Sequence, residues 1–277
     1  MSLMSKLLIS TVVVTVALSA KAQPDTEELL QYVKKAVVKN PQVKVKGVSI
    51  MESKTHKDLP GWDILLTTMD LEFQGKEIHA PEMMFVKDGL VTGHLINLET
   101  GKDYRDSIKP TVPDSLYDDA HLLLGNKNAE HKVLIFSDPM CPFCQEVVPE
   151  VFKAAKENPN KIALYYYHLP LLRIHPVSGL LTRIMHEAQK EGKSEVVEKM
   201  YSLKIDPRET NTTKVLSTVK GHTGYSISAT KLEDKTLLDA MKADEDTAGR
   251  MMVSGTPTIY IDGKWDKNRN GYKKLIK

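Results

Sequence analysis

The chain has 277 residues, with 38 Lys and Arg against 36 Asp and Glu, and 41% of its residues are hydrophobic. So even a charge balance excludes the strongly basic surface of a nucleic-acid binder, and the length suits two domains better than one. With only two cysteines, the fold relies on its core rather than on disulfide staples.

At the N-terminus, Lys6 precedes the apolar stretch Leu7–Leu18 (LLISTVVVTVAL), and Ala20-Lys21-Ala22 is a small-x-small cleavage pattern before Gln23. The apolar run is too short to span a bilayer and has the layout of a secretory signal. No cysteine follows it, so a lipid-anchored N-terminus is not expected. Residues 1–22 therefore read as a signal peptide, with the mature chain starting near Gln23 in an oxidising compartment, most simply a bacterial periplasm. Their removal takes away two lysines and no acid, leaving 36 basic and 36 acidic residues.

Residues 25–40 predict an amphipathic helix capped at Asp25 or Thr26, with Leu29, Leu30, Val33 and Val37 on one face, stopped by Pro41. Alternating patterns follow at Val43 and Val45, then at Ile64, Leu66, Leu71 and Phe73. Gln74-Gly75-Lys76 reads as a hairpin turn, and Lys87-Asp88-Gly89 as the turn between Met84-Phe85-Val86 and Leu90–Ile96. Residues 23–102 thus form an α+β domain, a helix plus an antiparallel sheet, without a catalytic constellation. Such a sheet is either a passive extension or a dimerisation surface. Residues 103–119, with Pro110 and Pro113, have the composition of a linker.

From 120 to 277 the pattern is strand, helix, strand, a block of helices, and strand again. Lys132–Phe136 is a buried-strand run, Ser137-Asp138-Pro139 breaks it, and Val147, Val148, Val151 and Phe152 recur at helical spacing. Ile162–Tyr167 reads as a second buried strand. Segments 176–191, 193–203 and 234–252 read as helices, Thr258–Ile261 as a strand turning at Asp262-Gly263, and 270–276 as a short last helix. This order predicts an α/β thioredoxin fold with a helical insertion.

Both cysteines lie in Met140-Cys141-Pro142-Phe143-Cys144, at the junction of the first strand and its helix. A thiol there faces unpaired backbone N–H groups and the positive end of the helix dipole, which favour the thiolate. Cys141 is the candidate nucleophile, and Cys144, one turn on, the resolving thiol. The alternatives are weaker. A disulfide closing so short a loop restrains little chain. Zinc wants four ligands, and no second cysteine pair or suitably spaced histidine is present. No metal and no cofactor are expected.

The second informative feature is Gly255-Thr256-Pro257, opening the last strand well downstream of the cysteines. In thioredoxin folds a cis-proline at this place lies against the reactive pair, and the residue before it offers backbone groups to an extended substrate. Phe136-Ser137-Asp138-Pro139-Met140-Cys141-Pro142-Phe143-Cys144 together with Gly255-Thr256-Pro257 resembles the periplasmic disulfide isomerases DsbC and DsbG. The hairpin Phe85-Val86-Lys87-Asp88-Gly89 followed by Gly93 is similar to their dimerisation domain. Proline after the first cysteine is closer to DsbG than to DsbC, and threonine before the cis-proline fits the isomerases rather than DsbA-type oxidases. Phe143 departs from the tyrosine or histidine common at its position.

The resemblance implies a cystatin-like N-terminal dimerisation domain and a V-shaped homodimer. It implies that Cys141 attacks, that Cys144 resolves, and that Thr256, Pro257, Pro142 and Phe143 meet substrate. The partners it implies are misfolded or oxidised secreted proteins and a DsbD-like membrane reductant. Two rival expectations are a dimeric DsbA-like oxidase recharged by a DsbB-like partner, and a largely redox-independent periplasmic chaperone. His168 and His175 read as core or loop histidines rather than as thiolate-tuning groups. Met251 and Met252 read as core packing, and Tyr165–Tyr167 as a buried strand rather than a nucleic-acid platform.

Overall fold

The computed structural model describes residues 24–277, so the expected signal peptide, residues 1–22, lies outside the described residues. Asp25 caps the first helix, α1 (Thr26–Tyr32), accepting a hydrogen bond from the Glu28 amide at 2.8 Å. The helix runs on through a wider turn, Val33–Val37, and ends before Pro41. An antiparallel meander follows, β1 (Val43–Lys54), β2 (Asp63–Phe73), β3 (Lys76–Lys87) and β4 (Leu90–Thr92), paired in that order. Both tight hairpins have positive φ at their two central residues, Gln74 and Gly75 in one, Asp88 and Gly89 in the other. That is the turn whose twist matches the flanking strands. The strand expected over Leu90–Ile96 ends at Thr92. Beyond it only a single bridge, Ile96 to Asp103, holds the chain.

Period-two alternation gives this sheet two buried faces. Leu65, Met69, Met84 and Val86 pack against Leu29 and Val33 of α1. Ile64, Leu66, Met83 and Phe85 pack on the other side against Leu59, Ile108, Tyr104 and Met252. The segment 103–119 is held at both sides. Lys54 Nζ donates to the Lys109 carbonyl at 2.8 Å, and Glu52 accepts from the Thr111 amide and hydroxyl at 2.8 and 2.7 Å. Lys109 Nζ donates to the Met252 carbonyl, and the Val112 amide to the Gly263 carbonyl at 2.9 Å.

The rest of the chain runs β5 (Leu122–Leu124), β6 (His131–Ser137), α2 (Pro142–Glu157), β7 (Ile162–His168), α3 (Ser178–Lys190), α4 (Ser194–Lys199), α5 (Thr212–Thr223), α6 (Ala229–Leu232), α7 (Lys235–Arg250), β8 (Thr258–Ile261), β9 (Lys264–Trp265) and α8 (Tyr272–Leu275). The sheet order is β5-β7-β6-β8-β9, with β6 and β7 parallel and the other pairs antiparallel. Val133, Ile135, Leu164, Tyr166 and Ile259 face α2 and the inserted helices. Leu134, Phe136, Tyr165, Tyr167 and Tyr260 face Ala248 and Met251 at the end of α7. A strand buried on both faces reads as an unbroken apolar run, as β6 and β7 do.

Helices α5 and α6 and strands β5 and β9 escape the sequence pattern. Helix α5 is rich in threonine and valine, which favour strands when taken locally, yet Asn211 caps it and Val215 and Val219 bury against the insertion core. β5 is only three residues long and depends on β7 for its pairing.

Candidate active site

β6 ends at Ser137, and the next residue, Asp138, has no solvent exposure. Its carboxylate accepts from the Met140 amide at 2.7 Å, the Leu171 amide at 2.8 Å, the Ser178 hydroxyl at 2.6 Å and His175 Nδ1 at 3.1 Å. These bonds fix the turn that carries Met140 and Cys141, and Gln145 Nε2 adds a bond to the Pro139 carbonyl at 2.9 Å. The turn delivers Cys141 as the N-cap of α2, with Pro142 at the first helical position. Proline loses nothing there, because the first N–H groups of a helix have no intrahelical acceptor.

Cys141 and Cys144 are both buried and both reduced. The Cys141 sulfur lies 3.4 Å from the Thr256 carbonyl oxygen, at the cis Thr256–Pro257 peptide bond that leads into β8. The Thr256 hydroxyl is buried beside the pair and makes no hydrogen bond of its own. The Cys144 thiol first, then the Thr256 hydroxyl and the amides of Cys144 and Phe143, are donor groups that favour a thiolate at Cys141. Together they outweigh burial and hold its pKa down at about 5. Cys144 moves the opposite way: burial, then its bond to Cys141, push its thiol well above the ordinary range, although the Ser137 and Thr256 hydroxyls favour its thiolate. The sulfur at the helix terminus, 5% exposed, therefore favours the thiolate, while the other keeps its proton and is fully buried behind it.

Cys141, Cys144, Thr256 and Pro257, four of the residues singled out in the sequence, converge within this site. Phe143 is 62% exposed beside it, with the Arg269 guanidinium 5.8 Å from its ring centroid, and Pro142 is exposed as well. Other contributors carry no sequence signal. Tyr201, from the inserted helices, donates to Ser137 Oγ at 2.7 Å and shares a hydrogen bond with Tyr166, which ties the insertion to the floor of the site. His175 touches the site only through Asp138. Asp138 itself could have been noticed as an acid three residues before the first cysteine, but three of its four partners, Leu171, His175 and Ser178, are not local.

Residues 118–277, more than half of the chain, match the family model described as Thioredoxin. The chain belongs to the thioredoxin family. Its mixed sheet flanked by helices is the thioredoxin-like fold. Among solved structures, the chain is similar to BdbD from Bacillus subtilis in its oxidised form (20% identity, 61% of this chain and 93% of that one, TM-score 0.48). It is also similar to a periplasmic thioredoxin-like protein from Salmonella enterica serovar Typhimurium (18% identity, 58% and 91%, TM-score 0.47). A third likeness is to a thioredoxin-like oxidoreductase from Silicibacter pomeroyi (20% identity, 60% and 95%, TM-score 0.46). A comparison with curated protein sequences gives no match.

Proposed function

We propose that this thioredoxin-family chain is a periplasmic thiol–disulfide oxidoreductase that isomerises or reduces disulfides of secreted proteins. The observation that carries the proposal is the placement of the two sulfurs, Cys141 as the N-cap of α2 against the cis Thr256–Pro257 bond and Cys144 fully buried behind it, which splits them into a favoured thiolate and a favoured thiol.

The chemistry follows from that split. The Cys141 thiolate attacks one sulfur of a substrate disulfide; a mixed disulfide forms and the other substrate sulfur leaves as thiolate. In isomerisation that thiolate attacks a second substrate disulfide, and the thiolate released there displaces Cys141 from the mixed disulfide, with no net electron transfer. In reduction the Cys144 thiol, no longer hydrogen-bonded to a Cys141 anion, gives up its proton and attacks the Cys141 sulfur. The last substrate sulfur leaves as thiolate, and the Cys141–Cys144 disulfide forms. The main-chain groups of Thr256 align an extended substrate beside Cys141, and exposed Phe143 and Pro142 offer it an apolar edge.

The N-terminal helix and four-stranded sheet serve in this reading as a cystatin-like dimerisation domain (residues 23–102), joined through residues 103–119 to the catalytic domain (residues 120–277). A DsbD-like membrane reductant returns the pair to the dithiol form. A second reading has a specific observation behind it. A Cys141 thiolate stabilised down to a pKa of about 5 favours the reduced protein and so makes its disulfide more oxidising, as an oxidase recharged by a DsbB-like partner requires.

Reactivation of scrambled, fully oxidised ribonuclease by the pre-reduced protein, with Cys141→Ser as control, separates the two. The proposal expects reactivation that the control lacks. Absent reactivation, with rapid oxidation of reduced ribonuclease by the disulfide form, assigns the chain to the oxidases.

A further inference from the structure

We infer that His168, His186 and Asp244 form a binding site for a first-row divalent cation of the zinc class, separate from the dithiol. The three come from β7, α3 and α7, and their ligand atoms all lie within 4.8 Å of one another. Nothing in the sequence joins them, because they are far apart along the chain. For that reason local ligand spacing points to no metal.

His168 supplies the observation that asks for a ligand. It has no solvent exposure, and neither ring nitrogen has a hydrogen-bond partner. Native interiors rarely leave such a group unpaired, and a bound ion is one of the few arrangements that satisfies it. A neutral imidazole has one N–H and one lone pair. The neighbouring Gln189 carboxamide anchors its nitrogen on the Ala120 carbonyl at 3.1 Å, and its buried Oε1 is also unpaired. A small rotation that lets Gln189 Oε1 accept the His168 N–H would leave the other ring nitrogen as a lone pair. Metal-bound imidazoles are held in this way.

Asp244 is equally prepared. It is 2% exposed, and each carboxylate oxygen accepts one bond, Oδ1 from His121 Nε2 and Oδ2 from the His168 amide, both at 2.9 Å. A lone pair remains on each oxygen. His121 is braced in turn by Asp118 at 2.8 Å and stacks on Tyr167, with ring centroids 3.8 Å apart. The carboxylate therefore points the same way with or without an ion. His186, whose ring centroid is 5.7 Å from that of His168, completes the set from α3.

Two imidazoles and one carboxylate suit zinc or cobalt, whereas magnesium and calcium prefer all-oxygen shells. Tetrahedral ligands about 2.0–2.1 Å from one ion sit about 3.3 Å apart, so the widest pair closes by about 0.7 Å per side chain to hold it. A bound ion would clamp the helical insertion to the end of β7, one strand over from the dithiol: His168 is the register partner of Ser137.

The test uses tag-free protein in its disulfide form, so that the cysteines are not ligands, stripped with a chelator and titrated with Zn²⁺ by calorimetry and with Co²⁺ by visible absorption. One Zn²⁺ per chain is expected, with a Co²⁺ spectrum of low coordination number. His186→Gln loses a ligand and should weaken binding at least tenfold. His121→Gln, which loosens Asp244, should weaken it about 10–100-fold. Melting of the unliganded variants checks that both fold. No Zn²⁺ uptake by the disulfide form, or equal affinity in His186→Gln and the parent protein, overturns the site.

Discussion

The Cys144 thiol first, then the Thr256 hydroxyl and the amides of Cys144 and Phe143, favour the Cys141 thiolate, while burial opposes the charge. In the reduced protein, alkylation of Cys141 should rise with pH through a midpoint of about 5 and level off above it. Cys144→Ala removes the largest contribution, and Thr256→Val a smaller one, so both should move the midpoint upward, Cys144→Ala further. A pH series of iodoacetamide rates measures this, and an unchanged midpoint in Cys144→Ala contradicts the assignment. The linkage has a definite sign. The folded pKa lies below the unfolded value of about 8.5, so ionisation stabilises the reduced fold fully above that value. The stabilisation is lost as pH falls towards 5. Chemical denaturation of the reduced form should show it weakening on acidification over that window, with Cys141→Ser showing less loss. At this scale the sequence was most legible where chemistry is local: the cysteine pair, its helix start, and Thr256-Pro257. Asp138, Tyr201 and the His168 cluster were opaque because their roles depend on partners from other elements.

At the scale of elements, patterning predicted most strands and helices, because period-two runs and caps are written into short segments. Gln74-Gly75 and Asp88-Gly89 specified their hairpins outright. Helix α5 did not show, since its threonines and valines read locally as strand and only burial of Val215 and Val219 makes it a helix. Gly125, which follows β5, is an equally non-local constraint. Its φ is +83°, and an added Cβ would stand 1.9 Å from the Ile162 carbonyl oxygen of β7. Gly125→Ala should cost more than about 1 kcal/mol and lower the melting temperature by at least ~2–4 °C. An unchanged melting temperature would mean that this close approach is absent in solution.

On the scale of the whole molecule, residues 103–119 have the composition of a free linker but not its behaviour. Glu52 and Lys54 hold the segment from the first sheet, while Lys109 reaches the Met252 carbonyl four residues before Thr256. Burial lowers the Lys109 pKa, and the side chain works as a strap between the N-terminal sheet and the loop that carries the cis-proline. Lys109→Met should cost about 1–3 kcal/mol and speed proteolytic cleavage within 103–119. Unaltered cleavage would show that the strap bears no load. The central claim is that Cys141 forms the covalent bond with substrate and Cys144 releases it. It is tested most directly by expressing Cys144→Ala, Cys141→Ser and the parent chain in cells, quenching with acid, and separating the proteins without reductant. The account predicts reductant-sensitive adducts accumulating with Cys144→Ala and absent with Cys141→Ser. Adducts formed by Cys141→Ser, or none with Cys144→Ala, would contradict it.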